Sequence, residues 1–412
     1  MNASIVIQKS QIKPEETINL TGSKSESNRA LIISALSKGK VKIKNLSSAA
    51  DTVTLNGILN HESEHPTTVN VGPAGTAMRF LTAYFSLKGE KVEITGSERM
   101  KQRPIGTLVD ALQTLGADIS YQDQEGYPPV LINGAFNQTT SHILIRGDIS
   151  SQFLTALLLV ASSLPQGVDL EIMDELTSKP YVEMTLSMLQ QCGINHTWDR
   201  DKIAILPQEF KATTLTIEPD WSAASYWYSV VALSENAKIH LPNLKKNSLQ
   251  GDSAIVEIMA LFGVETTFDE DGLTIEKVGH EIKPQLLDFK ECPDLAQTVI
   301  VCSALLCKEF SFSGLETLKI KETDRIFALQ TELAKIGVKL IETQADVYQL
   351  NCEELNIPQE IKIATYEDHR MAMAFAPMAM VIDKVEIEEA QVVEKSYPHF
   401  WDDFKKIGFS LK

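Results

Sequence analysis

The chain has 412 residues, of which 43% are hydrophobic and 23% are charged, and its formal net charge is −17. This length exceeds what one ordinary hydrophobic core accommodates, so we expect two domains. The acidic balance argues against nucleic acids and anionic membranes as partners. The longest apolar run, residues 371–382, contains Pro377 and is too short to span a bilayer.

The first residues and the cysteines indicate a cytoplasmic protein. Residues 1–14 alternate apolar and polar side chains like a strand and lack the apolar core of a signal peptide. The five cysteines form an odd set without a C-x-x-C pair. Such a set is typical of reduced thiols and argues against a disulfide framework or a zinc knuckle.

Six helices rich in alanine and leucine are predicted along the chain, each opened by a short polar turn. These turns begin at Ser23, Gly75, Ser150, Asp220, Pro293 and Asp368. Between them, apolar helical stretches end on a glycine and are followed by strand-like runs, a pattern typical of a left-handed helix cap. The glycines are Gly116, Gly193, Gly263, Gly337 and Gly408.

The two series together define a repeat of about 70 residues. Each unit reads as strand, buried helix, strand, amphipathic helix, strand, strand, and the first unit, residues 23–75, is abbreviated. Six such units predict an α/β protein with two lobes of three units, because one unit cannot cover its own apolar face. We expect residues 1–22 plus 219–412 to form a C-terminal-type lobe and residues 23–218 to form an N-terminal-type lobe.

Charged and hydroxyl side chains are concentrated at the predicted helix starts. Helix N-termini carry a partial positive charge and bind anions, so cations placed there oppose the helix dipole. Stability therefore does not explain the recurrent lysines and arginines, and we predict one shared anion site. The residues concerned are Lys24, Ser25 and Arg29; Gly75, Thr76 and Arg79; Arg103; Ser150, Ser151 and Gln152; Ser178; Asp294; Lys321, Glu322 and Arg325; Asp368, His369 and Arg370; and Lys395.

Seven strings in this set resemble one enzyme family. They are GSKSESNRA (22–30), AGTAMRFL (74–81), RMKQRPIG (99–106), SSQFLTALL (150–158), SKPY (178–181), KETDR (321–325) and YEDHRMAM (366–373). In this order they are similar to the 3-phosphoshikimate 1-carboxyvinyltransferases, or EPSP synthases, over essentially the whole chain. The resemblance implies two lobes built as inverse α/β barrels, with the active site in the cleft between them.

The same resemblance implies a reaction of the shikimate pathway, which leads to chorismate and the aromatic amino acids. The enolpyruvyl group of phosphoenolpyruvate is transferred to the 5-hydroxyl of shikimate 3-phosphate by addition and elimination, and phosphate is released. That chemistry needs a base, an acid and cations on the phosphate, but no metal or organic cofactor. We expect these two small molecules to be the only partners, with no nucleic acid or membrane, and we expect a monomer.

The resemblance also implies a role for each matching position. Shikimate 3-phosphate would be held by Lys24, Ser25, Arg29, Ser150, Ser151, Gln152, Ser178, Tyr181, Asp294 and Lys321. Phosphoenolpyruvate would be held by Lys24, Gly75, Arg103, Gln152, Arg325, Arg370 and Lys395. Further candidates for binding are Thr76, Arg79, Thr317 and His369.

Three residues are the candidates for catalysis. Asp294 resembles the family's base, Glu322 is the candidate for proton transfer at C3, and Lys24 is the candidate for protonating the departing phosphate. Lys321 and Arg325 favour the ionised form of Glu322, whereas burial favours the protonated form. The sequence therefore leaves the division of acid and base roles between Asp294 and Glu322 open.

Other interpretations of these motifs remain. UDP-N-acetylglucosamine enolpyruvyl transferases share the fold and the chemistry, and a non-catalytic anion-binding module is a third alternative. Within the motifs, KETDR also fits a solvated helix face, and His369 also fits a structural histidine. Residues 61–65, HESEH, match a zinc-protease pattern, but Pro66 disfavours the helix that this pattern needs.

Two positions depart from the family's pattern. Pro73 stands where the family has an asparagine, and it removes an N–H group from a loop expected beside phosphoenolpyruvate. Thr317 stands where the family often has an asparagine near the shikimate phosphate. The first of these departures leaves sensitivity to glyphosate open.

Overall fold

The structure is a computed structural model that describes residues 4–60, 67–279, 283 and 285–412. The chain forms two compact units. Unit 1 contains Met1–Thr21 and Glu218–Lys412, and unit 2 contains Gly22–Ile217. Unit 2 is therefore inserted in the chain of unit 1. The zinc-pattern histidines His61 and His65 lie outside the described residues.

The described residues form short strands and helices in alternation. The strands are β1 (Ile5–Gln8), β2 (Glu15–Thr17), β3 (Val41–Lys44), β4 (Thr68–Asn70), β5 (Val92–Thr95), β6 (Ile119–Tyr121), β7 (Val130–Ile132), β8 (His142–Arg146), β9 (Val168–Met173), β10 (Thr197–Asp199), β11 (Lys202–Ile205), β12 (Thr213–Thr216), β13 (Lys238–Pro242), β14 (Val264–Phe268), β15 (Gly272–Lys277), β16 (Leu286–Asp288), β17 (Ser311–Ser313), β18 (Lys339–Gln344), β19 (Val347–Asn351), β20 (Glu360–Ile363), β21 (Lys384–Ile387) and β22 (Ser410–Leu411). The α-helices are α1 (Lys24–Leu36), α2 (Ala50–Asn60), α3 (Gly75–Lys88), α4 (Glu98–Lys101), α5 (Gly106–Leu115), α6 (Ser151–Ala161), α7 (Lys179–Gln191), α8 (Trp221–Leu233), α9 (Ile255–Ala260), α10 (Ala296–Leu305), α11 (Arg325–Ala334), α12 (His369–Phe375) and α13 (Phe400–Lys406). Short 3-10 helices cover Gly251–Ala254, Pro293–Leu295, Glu316–Ile320, Ala376–Met380 and Ala390–Lys395.

The described part of unit 2 contains three sheets, one for each predicted repeat. Two of them have four strands in the orders β4-β5-β7-β6 and β8-β9-β11-β10. In each, the first two strands run parallel and are joined through a buried helix, while the last two form an antiparallel pair. The abbreviated first repeat has a two-stranded sheet in the described residues, in which β3 pairs in parallel with β12.

Unit 1 repeats the same plan three times, with strand orders β2-β13-β15-β14, β16-β17-β19-β18 and β20-β21-β1-β22. Two of these sheets take strands from the first residues of the chain. Strand β2 pairs in parallel with β13, and β1 lies antiparallel between β21 and β22. The N-terminal residues therefore complete sheets whose other strands come from the second half of the chain.

Each unit has helices inside and sheets outside. In unit 2, α1, α3 and α6 pack against one another, and in unit 1 α8, α10 and α12 do the same. These helices are buried over most of their length, whereas the strands β8 and β9 alternate buried and more exposed residues. The fold is therefore α/β, as predicted, with open sheets around a helical core.

The predicted glycine caps are confirmed. Gly116, Gly193, Gly263, Gly337 and Gly408 all have positive φ angles. At Gly116 the reason is strongest, because it follows α5 directly with φ 113° and an added Cβ would collide with the backbone of Asn137. The six predicted buried helices are present, and polar N-caps open several of them, including Ser23, Ser150, Asp220 and Asp368.

Candidate active site

In unit 2, the first two turns of four helices meet around Arg29. Its Nε donates to the hydroxyl of Thr185 at 2.8 Å, and its Nη2 donates to the hydroxyl of Thr155 and the carbonyl of Tyr181, both at 3.2 Å. The guanidinium also lies over the rings of Phe80 and Tyr181, 5.7 and 5.6 Å from their centroids. Because these partners belong to α3, α6 and α7, the starts of those helices converge on α1.

Burial changes the chemistry of this arginine. Arg29 is only 2% exposed, and burial lowers its pKa to about 10, so the guanidinium stays charged at neutral pH. Its Nη1 donates to the carbonyl of Ser25 at 2.8 Å, which ties it to the first turn of α1. Arg29 is thus a fixed positive charge at the meeting point of the helix starts.

The first residue of α1 carries the other cation of this region. Lys24 lies half-buried with its Nζ 3.4 Å from Oδ2 of Asp51, which belongs to the first turn of α2. Ser23 caps α1 by accepting a hydrogen bond from the N–H of Glu26. Asp51 was not predicted, and a single aspartate near a helix start gives no signal beyond capping.

The start of α3 lies against Arg103. A Cβ built on Gly75 would be 2.8 Å from Nη1 of Arg103 and 3.2 Å from its Cζ, so glycine leaves the space that the guanidinium fills. Thr76 accepts a hydrogen bond from Asn28 at 2.6 Å. Arg103 is 8% exposed, so a predicted site cation is held against the helix start.

Arg79 is placed differently from what its position suggested. Its Nη2 donates to the carbonyl of Pro104 at 2.7 Å, and its Nη1 lies 3.3 Å from the sulfur of Met100 and from the carbonyl of Gly75. It is 3% exposed. These contacts favour a role in holding the loop that carries Arg103 rather than in binding a substrate directly.

The predicted serines open α6 and α7, the two other helices that contact Arg29. Ser150 is the N-cap of α6 and accepts from the N–H of Gln152 at 3.3 Å, while Ser151 is the first helical residue. Ser178 precedes α7 in the left-handed region with φ 54°, and its side chain makes no capping bond. A non-glycine residue in this conformation indicates a backbone held by its surroundings.

Unit 1 contains a dense cluster of acids and cations around Arg325, the first residue of α11. Its Nε donates to Oδ2 of Asp368 at 2.7 Å, its Nη1 to Oδ1 of Asp294 at 3.1 Å, and its Nη2 to Oε2 of Glu322 at 3.0 Å. The arginine side chain is 2% exposed and that of Asp368 is fully buried. Burial alone would lower the pKa of Arg325, but the three carboxylates around it, Asp368 foremost, together raise that pKa.

Arg370, the second residue of α12, bridges this cluster to α8. Its Nη2 lies 2.8 Å from Oδ2 of Asp294 and 3.3 Å from the hydroxyl of Ser222. Its Nη1 lies 3.3 Å from the carbonyl of Asp294 and 3.4 Å from the hydroxyl of Tyr226. The starts of α8, α10 and α12 therefore meet at one guanidinium.

Two lysines complete the cluster. Nζ of Lys395 lies 2.9 Å from Oε1 of Glu322, and Nζ of Lys321 lies 3.9 Å from Oδ1 of Asp294. The exposed fraction is 9% for the side chain of Lys395 and 24% for that of Lys321. The cations that were predicted on separate motifs of this unit are thus brought together around Asp294 and Glu322.

The electrostatics of Asp294 result from this arrangement. Burial raises its pKa, but the charges of Arg370, Lys321 and Arg325 outweigh burial and hold the pKa well below its usual range. The carboxylate is therefore ionised at any physiological pH. A carboxylate paired with several cations is a weak proton acceptor. It becomes a stronger acceptor only when another anion binds those cations.

The sequence missed two members of the cluster, Asp252 and Ser222. Ser222 donates from its hydroxyl to Oδ2 of Asp252, which is 4% exposed and belongs to the 3-10 helix Gly251–Ala254. Burial, followed by the charge of Asp294, raises the pKa of Asp252 to about 7. Its position one residue after a glycine at a helix start was the only signal available, and the string around it was not among the matched motifs.

The two remaining candidates are buried side chains. His369 is 1% exposed, and its Nδ1 lies 3.6 Å from Oδ1 of Asp368. Thr317 lies in the 3-10 helix Glu316–Ile320, and its hydroxyl is buried without a hydrogen-bond partner among the described residues. Burial of His369 inside α12 favours the structural interpretation of that histidine.

Comparison with known proteins identifies the family of the chain. The model of the family EPSP synthase (3-phosphoshikimate 1-carboxyvinyltransferase) matches residues 9–63 and 52–404. The chain belongs to the EPSP synthase family. The prediction made from the motifs is therefore confirmed, and the match favours the shikimate branch over UDP-N-acetylglucosamine enolpyruvyl transfer.

Relatives of the EPSP synthase family match nearly full length. The 3-phosphoshikimate 1-carboxyvinyltransferase of Bacteroides fragilis (strain YCH46) is 46% identical over 404 residues, which cover 98% of this chain and 97% of that protein. The enzyme of the same name from Histophilus somni (strain 2336) is 36% identical, over 95% of this chain and 96% of that protein. Both alignments span the two units.

A solved structure of EPSP synthase from Acinetobacter baumannii has the same fold. It aligns with a TM-score of 0.78 and 18% sequence identity, covering 100% of this chain and 99% of the other. Among the described residues, no helix combines the length and apolar character that crossing a bilayer requires. Pro73, the departure from the EPSP synthase pattern, is exposed two residues before α3.

Proposed function

We propose that the helix-start clusters of the two units supply the groups that carry out the reaction of the EPSP synthase family. As a member of this family, the chain is a transferase of the shikimate pathway. It transfers the enolpyruvyl group of phosphoenolpyruvate to the 5-hydroxyl of shikimate 3-phosphate and releases phosphate. The residues of the helix starts divide into one set for each substrate and a smaller set that moves protons.

The cations of unit 1 suit phosphoenolpyruvate. Its carboxylate is planar and matches the paired N–H groups of a guanidinium, whereas its phosphate also accepts from an ammonium group. Arg325, Arg370 and Lys395 all lie within hydrogen-bond distance of carboxylates that a substrate anion could replace. The full set that we propose for phosphoenolpyruvate is Lys24, Gly75, Arg103, Gln152, Arg325, Arg370 and Lys395.

The helix starts of unit 2 suit the shikimate phosphate and carboxylate. The starts of α6 and α7, with the hydroxyls of Ser150, Ser151 and Ser178, are the kind of helix N-terminus that binds anions. Arg29 keeps a positive charge where those helices meet. The full set that we propose for shikimate 3-phosphate is Lys24, Ser25, Arg29, Ser150, Ser151, Gln152, Ser178, Tyr181, Asp294 and Lys321.

The observation that carries the mechanism is the ion pairing of Asp294. Nη2 of Arg370 lies 2.8 Å from this carboxylate and Nη1 of Arg325 lies 3.1 Å from it. Together with Lys321, these cations outweigh burial and lower the pKa of Asp294 well below its usual range. A substrate anion that binds to Arg370 neutralises the charge that stabilises ionised Asp294. The proton affinity of Asp294 then rises, so this acid becomes an effective base when substrate is present.

The reaction then proceeds in two stages. Glu322 takes up a proton from solvent once the substrate anions bind Arg325 and Lys395 in its place. The 5-hydroxyl gives its proton to Asp294 while its oxygen bonds to C2 of the enolpyruvyl group, and protonated Glu322 gives its proton to C3. In the second stage C3 returns a proton to Glu322, the bond between C2 and the phosphate oxygen breaks, and the double bond is restored. Lys24 protonates the departing phosphate, and the surrounding cations stabilise the charge that develops on it.

Release of inorganic phosphate tests this function. We expect turnover with phosphoenolpyruvate and shikimate 3-phosphate and none with UDP-N-acetylglucosamine as acceptor. Glu322→Gln should lower kcat by roughly 10²–10⁴, since it removes the proton donor for C3. Lys24→Ala should lower kcat and raise the KM of both substrates.

A matched control separates catalysis from a general loss of charge. Glu257 is an exposed glutamate of α9 in the same unit, so Glu257→Gln should keep wild-type rates. Turnover with UDP-N-acetylglucosamine alone, or phosphate release by Glu322→Gln at the wild-type rate, would contradict the proposal.

A further inference from the structure

A hydroxyl group of α8 joins the guanidinium of Arg370 to a carboxylate that the reaction does not use. Ser222 accepts a hydrogen bond from Nη2 of Arg370 at 3.3 Å and donates its own proton to Oδ2 of Asp252. A serine hydroxyl has one hydrogen. When that hydrogen points at Asp252, the lone pairs of the oxygen face Arg370, so the carboxylate determines how the hydroxyl is oriented.

We propose that Asp252 is a positioning residue which, through the hydroxyl of Ser222, fixes the guanidinium of Arg370 for binding phosphoenolpyruvate. The inference rests on the proposed role of Arg370 as a ligand of that substrate. The guanidinium of Arg370 also contacts Asp294, whose Oδ2 lies 2.8 Å from Nη2 and whose carbonyl lies 3.3 Å from Nη1, and the hydroxyl of Tyr226, 3.4 Å from Nη1. Without Ser222, Nη2 keeps its contact with Asp294 but loses the acceptor on α8, so the guanidinium is held from fewer directions.

The surroundings of Asp252 argue against a purely structural role. Its side chain is buried, and its Oδ1 has no hydrogen-bond partner among the described residues. A second carboxylate, Asp294, is close enough to disfavour its charge, and burial disfavours it further. A buried acid in such a place destabilises the folded state. Groups of this kind are concentrated at functional sites, where geometry matters more than stability.

Asp252 also stands at the first turn of a 3-10 helix, where any aspartate interacts favourably with the helix dipole. That interaction alone would not tie it to substrate affinity. A positioning role and a capping role therefore differ in what they do to the KM of phosphoenolpyruvate.

Four single variants of the full chain test the proposal by steady-state kinetics and thermal unfolding. Ser222→Ala and Asp252→Ala each break the chain of hydrogen bonds to Arg370. Since a hydrogen bond to a charged group is involved, each should raise the KM for phosphoenolpyruvate about tenfold, with kcat and the KM for shikimate 3-phosphate within about twofold of wild type. Asp252→Asn keeps an oxygen that accepts from Ser222 and should recover most of the affinity.

Ser225→Ala is the matched control. Ser225 is a buried serine of the same helix whose hydroxyl donates to the carbonyl of Ser222 at 2.7 Å, and it makes no contact with Arg370 in the described structure. This variant should keep the KM of both substrates. The double variant Ser222→Ala with Asp252→Ala should resemble either single variant, because both changes break the same path.

Three results would overturn the positioning role: an unchanged KM for phosphoenolpyruvate in Ser222→Ala, additive effects in the double variant, or an Asp252→Asn variant as impaired as Asp252→Ala. Wild-type protein that releases no phosphate from its two substrates would instead refute the proposed function. The two failures are therefore distinguishable in one set of assays.

Discussion

Nε of Arg325 donates to Oδ2 of Asp368 at 2.7 Å, and this bond joins the first residue of α11 to the N-cap of α12. The same aspartate accepts from the N–H of Arg370 through its other oxygen, at 2.8 Å. One fully buried carboxylate therefore places two of the arginines that we propose as ligands of phosphoenolpyruvate. Its substitution should affect both the fold and the site.

Asp368→Ala should be strongly destabilising. The change removes a helix cap and leaves Arg325, which is 2% exposed, without its closest carboxylate. Breaking a buried ion pair from one side costs about 3–5 kcal/mol, so the free energy of unfolding measured in urea should fall by about that amount. Asp324→Ala is the control, because Asp324 caps α11 at an exposed position and its loss costs about 1 kcal/mol. Equal losses in the two variants would show that Asp368 acts only as a cap.

Gly75→Ala should weaken phosphoenolpyruvate binding without unfolding the protein. The new Cβ would lie 2.8 Å from Nη1 of Arg103, so the guanidinium must move by a few tenths of an ångström. We expect the KM for phosphoenolpyruvate to rise several-fold, while the melting temperature stays the same. Gly57→Ala in α2 is the control: an added Cβ there meets nothing within 4 Å, and alanine favours the helix by about 1 kcal/mol. A KM unchanged in Gly75→Ala would rule out Arg103 as a ligand in the proposed position.

Asp252→Asn should stabilise the protein at neutral pH and above. The pKa of Asp252 is raised to about 7 in the folded state, above the value near 3.8 of an unfolded aspartate. The folded state therefore binds more protons than the unfolded state between these values, and the wild-type protein loses stability as the pH rises through that window. Asparagine does not ionise, so the variant avoids this loss. Its free energy of unfolding should exceed that of the wild type by up to about 4 kcal/mol, at about 1.4 kcal/mol per pKa unit.

The pH dependence of unfolding provides the measurement for Asp252→Asn. Its advantage over wild type should be large at pH 8 and small at pH 4, close to the pKa of the unfolded aspartate. A constant difference across this range would mean that the folded state does not raise the pKa of Asp252. The substitution Asp402→Asn, at an exposed aspartate of α13, should show no such trend.

Arg29→Lys should damage both stability and affinity for shikimate 3-phosphate. A lysine keeps the charge but cannot reproduce the bonds to Thr185, Thr155 and the carbonyl of Tyr181. Each buried acceptor that loses its donor costs about 1–3 kcal/mol. Thermal unfolding should show a lower midpoint, and the KM for shikimate 3-phosphate should rise at least tenfold. Arg99→Lys in α4, where the arginine donates to Gln102 at an exposed position, should leave both unchanged; a similar response in the two variants would contradict the assignment.

Local patterns made most of the fold predictable. The glycine after α5 and the polar caps of α6 and α12 act within a few residues, so the sequence shows them directly. Pairings across long distances in the chain are not readable in this way. Nothing near Ile5 indicates that it pairs with Ile387, or that β12 would join β3.

The charged residues of the site were predictable where a positive side chain lies at a helix start. Arginines and lysines at helix starts oppose the dipole and so attract notice. Aspartates at the same places are ordinary caps, which is why Asp51 and Asp252 escaped prediction although each contacts the cluster of its unit. Arg79 stays a prediction, and its contacts with the carbonyl of Pro104 and the sulfur of Met100 could not be read from its position at a helix start.

The position of β1 in its sheet determines when this sheet can form during synthesis of the chain. Ile5–Gln8 leaves the ribosome long before its partners Lys384–Ile387 and Ser410–Leu411. Residues 22–217 adjoin at their two ends, where a Cβ on Gly22 would lie 3.2 Å from Ile217, and they need no later strand. At about 5–20 residues per second, the inserted unit can fold while β1 and β2 stay unpaired for tens of seconds. Unpaired strand edges promote aggregation, so we expect the protein to be most prone to aggregation during its synthesis.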